Sequence, residues 1–122
     1  MAPPMAPLPR LTRRAEFLKV AAARRKFVAP GLILQAAAGP ATEPAEASWR
    51  VGFTASRKVG NAVARNRARR RLRAASAEVL PAHAEAGHDY VVIARAGTLT
   101  RQYQALVGDL EEGLRRLGVY RA

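Results

Sequence analysis

Eight cations crowd into residues 57–73: Arg57, Lys58, Arg65, Arg67, Arg69, Arg70, Arg71 and Arg73, with no Asp or Glu among them. They are eight of the chain's 21 Lys and Arg and equal two thirds of its net charge of +12. Like charges four apart on a helix repel by roughly 0.2–0.5 kcal/mol per pair, and solvated faces usually intersperse both signs. A run of one sign therefore calls for a bound anion. Arginine's planar fork grips phosphate through two N–H groups at once, which makes a phosphate backbone the natural complement. Asn61, just ahead of the run, suits a helix N-cap, and the free N–H groups of a helix N-terminus also bind phosphate.

The rest of the chain offers little chemistry of its own. Hydrolysis of a phosphodiester at protein-held metals needs carboxylates brought together, or His acting as acid and base. Here Glu43, Glu46, Glu78, Glu85, Asp109, Glu111 and Glu112 are scattered without paired metal-ligand spacing. His83 and His88 fall in or beside a loop and read as surface residues. The sequence lacks a Gly-x-Ser-x-Gly elbow, and Gly60 alone is no P-loop. No Cys is present, so thiolate metal sites and disulfides are excluded. No catalytic residue and no protein metal site are expected. Any hydrolysis must be supplied by another molecule.

The elements that position the cations follow from periodicity. A helix is expected over residues 62–80, stopped by Pro81. Ala64, Ala68, Leu72, Ala75 and Val79 share its packing side, with Arg65, Arg69 and Arg73 as a stripe beside them. Ahead of it, residues 49–56 alternate as a strand with Trp49, Val51, Phe53 and Ala55 on one face and Arg50, Gly52, Thr54 and Ser56 on the other. Residues 1–10, with Pro3, Pro4, Pro7 and Pro9, are expected to form a disordered tail, leaving 11–122 as a single domain. Thr12 is expected to cap a first helix over residues 13–23, with Phe17, Val20 and Ala21 on one side. Residues 27–37 read as extended, broken at Pro30-Gly31 into two short strands or one bent one. Residues 38–48 and 83–89 read as loops, the first a mobile one, and 90–94 as a buried strand. A last helix over 101–117, capped by Thr100 and stopped by Gly118, carries Leu106, Leu110, Leu114 and Leu117 as its apolar stripe. The order predicts an α/β two-layer sandwich, with three helices on a small mixed sheet.

A pI near 11.6 makes nucleic acid the leading partner class. The Ala-rich packing face of the basic helix suits a sheet better than lipid, and no apolar run approaches the roughly 20 residues of a membrane span. A cytoplasmic protein with no membrane partner is expected.

Residue by residue, the block Ser56-Arg57-Lys58-Val59-Gly60-Asn61-Ala62-Val63, followed by Arg65-Asn66-Arg67 and then Arg69, Arg70 and Arg73, resembles the Arg-Asn-Arg signature of the bacterial ribonuclease P protein family. Arg14-Ala15-Glu16-Phe17, Arg50-Val51-Gly52-Phe53 and the stretch from Asp89 to Arg95 add to the likeness. The resemblance implies that catalysis belongs to a large RNA with bound Mg²⁺, while the protein assists removal of the 5′ leader from precursor tRNA. Carried over by position, Arg57, Lys58, Asn61, Arg65, Asn66, Arg67, Arg69, Arg70 and Arg73 would face RNA. Phe17 and Phe53, with the exposed sheet face, would line a cleft for the single-stranded leader. It also implies a left-handed crossover around the basic helix and a protein that is monomeric within its ribonucleoprotein. The chain departs from the family pattern at Ala21 and Leu34, where aromatics are common, and at Arg71, where an apolar residue is usual. The competing class is a structural, ribosomal-type RNA binder on a similar sandwich.

Overall fold

The computed structural model describes residues 8–39 and 49–122. The expectations for residues 1–7 and 40–48 lie outside them. In chain order the elements are α1 (Arg14–Ala22), β1 (Lys26–Val28), β2 (Leu32–Ala38), β3 (Trp49–Thr54), α2 (Ala62–His83), β4 (His88–Ala94), a 3-10 helix (Ala96–Leu99) and α3 (Tyr103–Arg116). The sheet order is β1-β2-β4-β3. β4 pairs antiparallel with β2 and parallel with β3, so α2 is the crossover between two parallel neighbours.

Alternation along the strands divides the apolar side chains into two layers. Leu32, Leu34 and Ala36 of β2, Val51 and Phe53 of β3, and Tyr90, Val92 and Ala94 of β4 face α2 and α3, meeting Ala68, Leu72, Ala75, Val79, Leu106, Leu110 and Leu114 in the main core. Each fully buried leucine there contributes about 1.5–3 kcal/mol. On the opposite face α1 and the segment before it cover only part of the sheet, through Leu11 and then Phe17 and Val20 of α1 against Ala37, Val91 and Ile93. Tyr90 donates its O–H to the Glu85 carbonyl at 2.8 Å, and burial pushes its phenol above the ordinary range. Between α2 and α3, Tyr103 donates to Glu78 Oε2 at 2.7 Å. Burial, then that bond, raises the Tyr103 phenol to about 12.

Several boundaries differ from expectation for identifiable reasons. α2 continues through Pro81 to His83. A proline this near the C-terminus removes a single helical hydrogen bond, while buried Leu80 and Ala84 on either side hold the last turn to the core. The α1 N-cap is Arg13 rather than Thr12, because the Glu16 carboxylate accepts the backbone N–H groups of Thr12 and Arg13 at 3.0 and 2.9 Å. Ala21 stands exposed instead of sharing the buried side with Val20. Leu8 packs on the core, and Val51 N–H donates to the Pro9 carbonyl at 2.9 Å while Leu11 N–H donates to Val51 at 3.0 Å. The expected tail boundary at Arg10 therefore moves, since residues 8–10 are held beside β3. Residues 27–37 resolve into two antiparallel strands joined through Ala29, Pro30 and Gly31. Gln102, not Thr100, precedes α3, because Thr100 closes the 3-10 helix; Gly118, at φ +74°, ends α3 as expected.

Candidate nucleic-acid interface

The basic helix starts from a tight turn whose geometry its residues dictate. Val59 N–H donates to the Ser56 carbonyl at 3.1 Å and Gly60 N–H to that of Arg57 at 3.2 Å. Gly60 has φ +147°, and a Cβ there would stand 2.8 Å from the Ala64 Cβ, so only glycine is accommodated. Asn61 Oδ1 then accepts the Ala64 N–H at 2.9 Å, capping α2 as expected. The exposed Arg57 and Lys58 thus lie on the turn at the positive end of a helix about 33 Å long.

Along α2, Ala68, Leu72, Ala75 and Val79 are buried, and Arg65, Arg69 and Arg73 lie half-buried beside them. Asn66, Arg67 and Arg70 are exposed. Asn66 Oδ1 accepts from Arg69 Nη1 at 3.0 Å, which aligns that guanidinium along the helix. The Nε of Arg65 is enclosed and meets no acceptor among the described residues. Among the described residues, none of Arg57, Lys58, Arg65, Arg67, Arg69, Arg70 and Arg73 forms an ion pair. Arg71 behaves differently: it turns inward and donates to the carbonyls of Thr98 and Leu99, both at 2.9 Å, and to that of Arg101.

The partly covered sheet face forms a groove. At one end a cleft of about 380 Å³ is lined by Arg14, Phe17, Leu18 and Thr54. Phe17 lies directly on the β3 backbone, because Gly52 leaves room; a Cβ there would come within 2.3 Å of the ring. A second cleft, of about 340 Å³, is lined by Ile33, Ser56, Lys58, Val59, Ile93, Ala94, Arg95 and Ala96, so one wall is the turn that leads into α2. α1 is fixed over this face by Arg50, which pairs with Glu16 and, through Nε and Nη2 at 3.0 and 2.8 Å, with both oxygens of Asp89. The backbone N–H groups of Arg13 and Thr12, and then Arg50, hold the Glu16 carboxyl below its ordinary range.

Phe53 is not part of the groove. It is buried with Val51 and Ala55 in the main core, on the other side of β3 from Phe17. The two aromatics are separated by strand alternation, which turns Gly52 and Thr54 toward Phe17 and Phe53 toward α2. The expected pairing of Phe17 with Phe53 is therefore corrected, and Thr54 takes the place beside Phe17.

A family model, Ribonuclease P, matches residues 5–118. The ribonuclease P protein component of Paramagnetospirillum magneticum is 62% identical over 91% of this chain and 84% of its own length. The chain belongs to the ribonuclease P protein family. The family's protein component from Gluconacetobacter diazotrophicus is 53% identical over 90% of this chain and 91% of its own. The solved Staphylococcus aureus ribonuclease P protein shares the fold with a TM-score of 0.73 at 23% identity, over 92% of this chain and 97% of that one. The Thermotoga maritima ribonuclease P protein does so with a TM-score of 0.68 at 21% identity, over 88% and 94%. As the protein component of ribonuclease P, the chain is part of an endoribonuclease complex.

Within this ribonuclease P protein the cationic residues named from sequence are brought together on α2 and its leading turn. Arg14, Leu18, Ile33, Ile93 and Arg95 carry no groove assignment from sequence. Thr54 and Ser56 had a signal, since alternation already put them opposite Phe53. Ile33 and Ile93 had none, because only the β2–β4 register sets them side by side.

Proposed function

We propose that this ribonuclease P protein binds the catalytic RNA subunit through the arginine face of α2 and holds the single-stranded 5′ leader of precursor tRNA along the groove of the open sheet face. Phosphodiester hydrolysis and its Mg²⁺ belong to the RNA in this reading. The described residues contain no group of three or more His, Asp or Glu placed to hold a metal ion. One observation carries the proposal: seven cations without ion-pair partners among the described residues, on α2 and the leading turn that adjoins the groove. The protein acts by neutralisation, since two polyanions, RNA subunit and substrate, must approach closely. Each phosphate contact adds about 0.7–0.9 to the salt slope of binding, so five or six contacts give a steep dependence. Phe17 supplies a face for base stacking, worth roughly 1–3 kcal/mol per base, and Arg14, Lys58 and Arg95 line the path of the backbone. The protein works as a monomer within the ribonucleoprotein, in the cytoplasm. No described helix is long and apolar enough to cross a membrane.

The test is reconstitution. RNA-free protein is mixed with a bacterial ribonuclease P RNA and precursor tRNA, and leader release is followed at low Mg²⁺ against RNA-only and protein-only controls. Stimulation that needs both components is expected. Leader release by rigorously RNA-free protein alone would contradict the assignment of catalysis to RNA.

A further inference from the structure

Arg71 is the member of the basic run that faces inward, and what it grips points to a role distinct from that of its neighbours. Its guanidinium donates to the carbonyls of Thr98, Leu99 and Arg101, the trailing end of the 3-10 helix Ala96–Leu99. The leading end of the same short helix is closed from the other side. Thr98 N–H donates to the Arg95 carbonyl at 3.0 Å, and Arg95 N–H donates back to Thr98 Oγ1 at 2.9 Å. Thr98 Oγ1 donates to the Gly31 carbonyl, and Arg95 Nη1 to that of Ala29 at 2.6 Å. Gly31 N–H and the Arg101 guanidinium both bind Asp109 on α3, at 3.1 and 2.7 Å. The segment 95–101 is therefore held between α2, the β1–β2 turn and α3; it packs against α2, and among the described residues its side-chain hydrogen bonds to α2 come from Arg71.

That segment is also a wall. Arg95 and Ala96 form one side of the 340 Å³ cleft, and Ser56, Lys58 and Val59, on the turn that begins α2, form the other. We propose that Arg71 is a positioning residue that sets the distance between these two walls, and with it the fit of the single-stranded leader, without touching RNA itself. The proposal rests on the reading that this groove takes the leader. A fork is needed for the task, because one guanidinium spans three carbonyls in fixed directions where an ammonium is a point charge on a flexible stem.

The experiment measures KM and kcat of the reconstituted holoenzyme on precursor tRNA with a long single-stranded leader and with a single-nucleotide leader. It compares wild type, Arg71→Leu, Arg71→Lys and Lys58→Ala, with thermal unfolding of each protein alongside. Arg71→Lys keeps the charge and loses the fork. Both Arg71 variants are expected to raise KM for the long leader about fivefold to tenfold, with the short-leader KM and both kcat values little changed. The salt slope of RNA-subunit binding should stay at the wild-type value in both. Wild-type KM in Arg71→Lys would overturn the proposal in favour of a charge role. A salt slope lowered by about 0.7–0.9 in Arg71→Leu would overturn it by showing a phosphate contact. If Lys58→Ala also leaves the long-leader KM unchanged, the groove reading itself falls, and the positioning role falls with it. Should Arg71→Leu unfold, Arg71→Lys alone decides.

Discussion

Arg50 and Arg101 are each about one third exposed and grip a buried carboxylate with two nitrogens, whereas Arg67 and Arg70 stand in solvent and grip nothing among the described residues. The first pair joins elements distant in sequence: Arg50 ties β3 to β4 and to α1, and Arg101 ties the entry of α3 to its own second turn and, through Asp109, to the β1–β2 turn. The second pair lies on a single helix and holds no elements together. Identical side chains thus do opposite work, and the position of the acids decides which. Asp89, Asp109 and Glu16 each sit where an arginine crosses between elements, while the first half of α2 has no acid at all. That half-helix is poorly stabilised for an isolated protein, with cations at the positive end of its dipole. In the proposed function, bound phosphate makes the arrangement favourable.

The strongest break of this contrast comes from the paired side. Asp109→Ala leaves the Arg101 guanidinium and the Gly31 N–H without their acceptor, and is expected to lower stability by about 3 kcal/mol in urea unfolding. RNA affinity of the folded fraction should be retained. On the unpaired side, inorganic sulfate should stabilise the wild-type protein by up to about 2.7 kcal/mol at a hundredfold excess over its Kd, and by less in Arg67→Ala/Arg70→Ala. A sulfate titration of thermal unfolding checks this. Asn61→Ala removes the side-chain acceptor for Ala64 N–H and should lower stability by about 1 kcal/mol, without the selective loss of salt slope expected of the arginine variants. The smallest effect is in acid. The Glu16 carboxyl is held below its ordinary value near 4.5, so its contribution is complete above that pH and is lost as pH falls through the folded-state value. Glu16→Gln should flatten the part of the stability profile that lies below about pH 4.5.

Much of the scaffold around the arginines was legible because its signals are local. Asn61 as cap, the Ala-rich packing side of α2, the alternation of β3 and the leucine stripe of α3 each depend on neighbours a few residues away. What sequence did not show depends on distant partners. Pro81 stays helical because Leu80 and Ala84 are buried on a core assembled elsewhere. Thr12 and Thr100 lose their expected capping roles, to the Glu16 carboxylate in the first case and to an unforeseen 3-10 helix in the second. Arg71 reads as one more cation until the carbonyls of Thr98, Leu99 and Arg101 stand beside it. Phe53 is a different case. Alternation alone grouped it with Val51 and Ala55, and the core placement agrees with that local reading rather than with the cleft role carried over from the family resemblance.

The most direct test of the division between holding and binding arginines is the salt dependence of assembly with the ribonuclease P RNA. For wild type and Arg67→Ala/Arg70→Ala, log K is measured against log salt, with unfolding of each protein measured in parallel. The predicted result is a slope lower in magnitude by about 1.5 in the double variant, with protein stability unchanged or slightly raised. An unchanged slope in a folded double variant would contradict the assignment of these arginines to phosphate.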